Sequence, residues 1–564
     1  MTATHALTHL CPTYVRDEAD DRVDENARPV EQVNTSEGPL LDLLQRALLV
    51  ESTAHSPAQP QSTLTQSEQT IQSLRALRLH PNDLHCVLEL TKKYWPLWPV
   101  LPPGFVQVVH SSQGPDIRSA TRFVNDSFDS QSSEIVAKGV LWLALCIQQL
   151  PSSFDSRQNH LPCPRRVLLD AYMKGAEVLL GNPYDTQKGI TFLECLMLQC
   201  KLCVNMAKPR KAWLTFRCAI NSALLQGLAT EKMNSIWMQI WVFDRQLSMV
   251  LGLPYSVPDS HPRMLTLPND DPHARILRHM GVIAGRIADR NLNIAALDYS
   301  MTLDIERDHF TMREMMPIEW DLPNCADLSV AEVFTKQVGK FYYNFLLKNI
   351  HFPYMLRGPA DGDPYTHSRS TSLTAARAMI EHYHGLRYCS QGQLLICDLM
   401  DFQVFTAAIV LVIHLISPTD ARDIQQDKAD WAEINHLRQT LNQLSRAMEC
   451  AVARQAADLL GYLYAAAHGR YDGDEPYKAV IPYFGEVRIR QGQGIPPTQS
   501  RSGTDTAPSS SRYNAIEFRT QQFSPQGPDT MGFQFGEGEL CVDWSTVSGL
   551  DFDWDWSEVF TIPM

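Results

Sequence analysis

Apolar residues recur at helical spacing along almost the whole middle of this chain, and that periodicity limits the folds open to it. The pattern repeats near residues 83–95, 133–149, 165–180, 189–206, 210–228 and 233–251. It continues near 272–292, 329–350, 372–386, 395–416 and 428–467. Strict two-residue alternation is scarce, so strands cannot supply the main core. Pro and Gly punctuate the gaps, as at Pro254, Pro258, Pro262 and Gly358-Pro359, where a helix cannot cheaply continue. No unit recurs at a fixed period, which argues against a solenoid. The expectation is an all-α protein: a multi-helix domain over residues 79–490, flanked by a disordered N-terminal arm and a C-terminal acidic tail.

The flanks read differently. Residues 1–70 carry the acidic run Asp17-Glu18-Ala19-Asp20-Asp21 and a Ser/Gln/Thr/Pro-rich stretch from Ser52 to Gln69. So little apolar surface cannot offset the entropy of ordering, although Leu40 to Val50 forms one short amphipathic piece. Residues 491–528 turn to Gly, Pro, Ser, Thr and Gln and read as a disordered linker. After Arg519 the chain holds eight acidic side chains and no Lys or Arg. Asp551, Asp553 and Asp555 there alternate with Phe552, Trp554 and Trp556, with Trp544 before them and Phe560 after. Charge repulsion keeps such a segment (529–564) solvated, while each ring can be buried in a partner's groove. This is the composition of a transcriptional activation tail, with coactivator or mediator-type proteins as partners. An ordinary solvating acidic terminus is the alternative, but such tails are poor in aromatics.

The formal charge of −14 gives the chain no global basic field for nucleic acid, so DNA contact needs a dedicated basic module or a DNA-binding partner. Thirteen cysteines in 564 residues, many inside helical patterns, read as reduced thiols rather than a disulfide framework. The longest apolar run, Phe405 to Ile416, is shorter than a bilayer requires and contains His414, so no membrane partner is expected. The amino terminus lacks the basic-then-apolar order of a secretory signal.

The most organised stretch runs from Arg210 to Pro258. Trp213, Phe216, Ile220, Ala223 and Leu224 mark one face of a helix that Gly227 can close. In the next helix Ile236, Ile240, Leu247 and Leu251 share a stripe, with Trp237, Trp241 and Ser248 beside it. Gly252 stands where a left-handed closing residue belongs, and Pro254 prevents continuation. Asp244 falls on the apolar stripe and needs a cation or backbone donors, since an unpaired buried carboxylate is costly. Arg245 points about 100° away and is expected to pair with another helix. These residues read as a buried polar brace rather than as catalytic groups.

The segment "RKAWLTFRCAINSALLQGLA", followed by "IWMQIWVFDRQLSMVLGLPYSVPD", resembles the middle homology region of fungal zinc-cluster transcription factors. Ala212-Trp213, Gly227-Leu228, Trp237, Trp241, Asp244-Arg245, Ser248, Gly252 and Pro254 carry the likeness. "YWPLWPVLPPGF" (94–105), "YYNFLLKNIHFPYML" (342–356) and "SLTAARAMIEHY" (372–383) are similar to other parts of that region, so the likeness covers about residues 79–420. The family's basic pair before the second helix is Glu231-Lys232-Met233-Asn234 here, and its Gly-Arg-Pro is Gly252-Leu253-Pro254. The resemblance implies a nuclear regulator of RNA polymerase II genes; the acidic-aromatic tail makes it an activator, and a homodimer is one state open to it. The family's zinc cluster needs six cysteines, yet only Cys11 lies in the first 85 residues. "LTHLCPTY" (7–14) is similar to the end of such a cluster, which implies a start just after it. No cofactor is expected in this chain, and zinc only with such a preceding cluster.

The chain has no G-x-S-x-G elbow, no G-x-x-x-x-G-K-[ST] loop and no H-E-x-x-H. Gly492-Gln493-Gly494 follows a candidate strand but leads into Pro496-Pro497, with no helix for phosphate. Cys195, Cys200 and Cys203 on one helix read as buried thiols, and His382 and His384 diverge too far to chelate together. Asp472-Gly473-Asp474 reads as a turn. Neither catalytic nor metal residues are therefore expected. The competing functional reading is a helical enzyme or ligand-binding protein with a pocket between helices; another is a regulator that reaches DNA only through its partner.

Overall fold

A computed structural model describes residues 65–99, 116–154, 161–182, 188–226, 231–260, 272–292, 298–321, 328, 330–355, 364–388, 397–417, 423–448, 450–471, 477–481, 485–492 and 513–519. All of them lie within one unit, residues 61–564. The acidic tail with its aromatic residues, Cys11, Gly227-Leu228 and the Asp472-Gly473-Asp474 turn lie outside the described residues.

Among the described residues, fifteen α-helices make up the body. α1 (Gln66–Ala76), α2 (Pro81–Thr91), α3 (Ile117–Asp129), α4 (Ser133–Gln148), α5 (Arg165–Leu180) and α6 (Ile190–Asn205) come first. The central pair α7 (Pro209–Leu225) and α8 (Glu231–Leu251) leads into α9 (Pro272–Leu292), α10 (Tyr299–Met315) and α11 (Val330–Met355). α12 (Thr366–Tyr388), α13 (Asp398–Ile416), α14 (Ile424–Met448) and α15 (Ala451–Ala467) complete the set. The all-α expectation holds for the body. It begins earlier than residue 79, because Thr65 and Glu68 form a reciprocal capping box that starts α1. Helices α3 and α10 were not anticipated, and the single pattern read over 428–467 is two helices, the second capped by Cys450.

A small antiparallel sheet follows α15 and packs against it: β1 (Tyr477–Ile481), β2 (Gly485–Gly492) and β3 (Tyr513–Arg519), in that order. Tyr477 lies opposite Ile489 and Arg488 opposite Glu517. This corrects two boundaries, since β1 falls inside the span read as helical, β2 crosses its end at residue 490, and β3 falls inside the span read as linker. The candidate strand leading up to Gly492 is β2; β1 and β3, five and seven residues long, are too short for their alternation to stand out from turn-rich surroundings.

Two apolar clusters form the core. The first draws on α1 to α8 with Leu399 of α13, and within it the Trp142 ring meets Trp95 at 5.1 Å and Trp98 at 5.2 Å. The second draws on α9 to α15, with Met249 at the end of α8. α8 therefore contributes to both. α13 is long and apolar enough to cross a bilayer, contrary to the length expectation, but 83% of its Leu399–Ile416 window is buried among the other helices. A packed core helix accounts for its composition.

Several charged groups inside this core are paired across helices. Lys138 of α4 meets Glu194 of α6 at 2.7 Å. Asp401 of α13 accepts from Tyr383 at 2.7 Å and Arg387 at 2.5 Å, both on α12. Pro353 inside α11 has no N–H for the Asn349 carbonyl one turn back. Arg290 of α9 fills that role, donating to Asn349 O at 3.0 Å. Cys195, Cys200 and Cys203 are buried, and burial pushes the Cys203 thiol up to about 11.

Candidate functional site

The residues singled out from the sequence converge where α7, α8 and the turn 252–259 meet. Gly252 takes φ 64°, and Leu253 N–H donates to Ser248 O at 2.9 Å, which closes α8 in the six-to-one pattern of a Schellman motif. Ala207 closes α6 with the same bond, Lys208 N–H to Cys203 O at 2.8 Å, but at φ 47° without glycine's freedom. Beyond Gly252 the chain reverses along α8, and the brace holds it there.

Asp244 is buried and its Oδ2 accepts from Ser256 N–H at 2.8 Å. Its Oδ1 lies 3.0 Å from Nε of Arg217 on α7. Arg217 also donates to the Pro254 carbonyl, and its guanidinium covers the Trp213 ring at 4.4 Å. Trp213 Nε1 donates to Ser248 Oγ at 2.8 Å. One cluster thus joins both helices and the turn. Burial raises the Asp244 carboxyl above its ordinary range, opposed by the Ser256 amide and Arg217.

Arg245 departs from the expectation. It pairs with the turn after its own helix, donating to Val257 O at 2.8 Å and meeting Asp259 at 2.6 Å. Its guanidinium lies 4.1 Å from the Trp241 ring centroid and 4.0 Å from that of Tyr255. The returning turn reaches it first because Gly252 folds the chain back within a few residues. Trp241 Nε1 also donates to Val257 O, at 3.2 Å, and Trp237 is buried beside it. On the facing helix α9, a Cβ at Gly281 would stand 2.6 Å from the Trp241 ring, and one at Gly285 would stand 2.1 Å from Arg245 Nη1. Two glycines one turn apart are what lets α9 approach. Of the face proposed for α7, Phe216, Ile220 and Ala223 are buried, whereas Leu224 is 40% exposed.

The brace spends its charges on holding a turn, and its geometry is that of a joint. Two other features escaped the sequence reading. A cavity of about 50 Å³ lies between α8, α9, α11 and α13, walled by Met249, Phe345, Phe402 and Gln403. Lys348 on that wall is buried, donates to Thr406 Oγ1 at 2.8 Å, and is driven down to about 7 by burial. His384 stacks on His436 at 4.1 Å and lies 3.2 Å from Glu433, both on α14. The sequence offers no local signal for such pairings between helices.

The chain is similar to fungal proteins named as regulators of transcription. It is 26% identical over 440 residues to the dehydrocurvularin biosynthesis regulator of Aspergillus terreus, a match covering 68% of this chain and 60% of that protein. Its counterpart in Alternaria cinerariae is 26% identical over 422 residues, covering 66% and 55%. Transcription factor sdnS of Sordaria araneosa is 22% identical over 537 residues, covering 86% and 67%. The matches with the two biosynthesis regulators thus span under two thirds of their length. No protein-family model matches the chain, and no solved structure does. Transcription regulation is the class that these relatives and the helical body support.

Proposed function

We propose that this chain is a nuclear regulator of RNA polymerase II transcription, acting as an activator, with the helical body as its control module and residues 529–564 as its recruiting segment. The similarity to named transcription factors and regulators over most of the chain carries this reading. The acidic-aromatic composition after Arg519 supports the activator half, because buried rings provide most contact area when such a segment docks. Charges there keep the rings exposed and speed encounter with a basic surface. DNA is reached through a zinc-cluster module or a DNA-binding partner, given the −14 charge of these residues. The relatives named for biosynthesis make biosynthetic genes the first target class to test.

The test fuses the whole chain to an unrelated DNA-binding domain upstream of a reporter. Activation is expected, and replacing Trp544, Phe552, Trp554, Trp556 and Phe560 with Ala should remove most of it. Replacing Asp551, Asp553 and Asp555 with Asn should weaken it less. A fusion that never activates, or one indifferent to the aromatic replacements, refutes the activator assignment.

A further inference from the structure

We propose that Glu306, His351 and His367 form a binding site for a divalent transition-metal cation, with zinc the best chemical match. The residues come from α10, α11 and the first turn of α12, and one ligand atom of each lies within 4.8 Å of the others. Glu306 Oε1 is 3.2 Å from His351 Nε2 and 2.8 Å from His367 Nε2. Tetrahedral zinc with bonds of ~2.0–2.1 Å spaces its ligands at ~3.3 Å, so loading requires shifts of only tenths of an ångström at these contacts.

A hydrogen-bonded pair between Glu306 and His367 explains those two side chains without a metal. It does not explain His351. That ring is fully buried, and its Nε2 faces the carboxylate with no hydrogen-bond partner. Its Nδ1 is 2.9 Å from Ser368 Oγ, which is itself 3.0 Å from Tyr299 OH. When Nδ1–H donates to Ser368, the Nε2 lone pair points at a carboxylate, an arrangement that a cation between them turns from repulsive to binding. An imidazole oriented through its other nitrogen by an outer partner is the usual setting of a metal-bound histidine.

Two imidazoles and one carboxylate suit zinc and neighbouring transition metals rather than magnesium or calcium, which prefer all-oxygen shells. His367, 53% exposed, forms the entry edge, while Glu306 is only 7% exposed. Three protein ligands leave the fourth position to water or a small donor. Loaded, the site ties three helices together at one point.

The full chain, stripped with a chelator, is titrated with cobalt(II) as a spectroscopic probe and then with zinc. One equivalent of cobalt with tetrahedral visible bands is expected, displaced by zinc, and zinc should raise the melting temperature. His367→Ala, a change at an exposed side chain, should fold normally and lose both effects. Ser368→Ala should weaken the affinity about 10- to 100-fold. His384→Ala, in the separate His384–Glu433–His436 group, should leave both effects intact. Three results overturn the assignment: no cobalt or zinc uptake, equal uptake by the chain and its His367→Ala variant, or thiolate-to-cobalt charge-transfer bands.

Discussion

Asp244 is the member of the brace whose replacement separates charge from hydrogen bonding. Its Oδ2 satisfies the Ser256 amide at 2.8 Å, and its Oδ1 lies 3.0 Å from Arg217 Nε. The Arg217 side chain keeps 24% exposure, so losing its partner leaves the guanidinium in reach of water, at a cost of ~0–1 kcal/mol. The Ser256 amide is half-buried and less able to turn to water, and a buried donor left unmade costs ~1–3 kcal/mol. Asp244→Leu should therefore destabilise the body by on the order of 2–3 kcal/mol. Asp244→Asn keeps an oxygen for Ser256 and should cost under about 1 kcal/mol. The pH dependence separates them further. Because burial raises the Asp244 carboxyl, the folded state binds more protons than the unfolded chain between the ordinary carboxyl pKa and the raised one. This group's contribution therefore falls as pH rises through that window, and the full penalty is present above it. Asn does not titrate, so its stability relative to the parent should improve as pH rises through the same range. Chemical denaturation followed by tryptophan fluorescence and circular dichroism, from mildly acid to neutral pH, measures all three proteins. If Asn proves as costly as Leu, charge rather than the acceptor holds the turn. If Leu is neutral, the brace has no structural role.

Gly285→Ala should cost about 1–3 kcal/mol in the same denaturation experiment, because its Cβ would meet a guanidinium already clamped by Val257, Asp259 and two rings. Unchanged stability would falsify the close approach of α9 to α8. The purified chain alone should bind duplex DNA only nonspecifically, with Kd of ~10⁻⁴ M or weaker at physiological salt, given its −14 charge. Sub-micromolar, sequence-selective binding in an anisotropy titration would contradict that.

Helix positions were legible from the sequence because amphipathic periodicity is a local property, sampled over one window of residues. The edges of α5, α6 and α9 fall within a residue of the expected ones for that reason. Where the local signal failed, its causes are specific. The charged sequence of α10 obscures its buried Ile305, His309 and Met312, and the break before α15 rests on a Cys450 cap rather than on Pro or Gly. Local chemistry also determined the end of α8, since Gly252 and Pro254 act within one turn of themselves. The need of Asp244 for partners was readable from its place on an apolar stripe, but the identity of those partners was not. Only tertiary packing decided that Arg217 and Ser256 meet Asp244, that Arg245 turns to Val257 and Asp259, and that Gly281 and Gly285 admit Trp241 and Arg245. The same holds for Glu306, His351 and His367, which lie 45 and 16 residues apart along the chain. A side chain's period is written in its neighbours along the sequence, whereas its partner depends on which helix faces it, and that is set by the burial of whole faces at once.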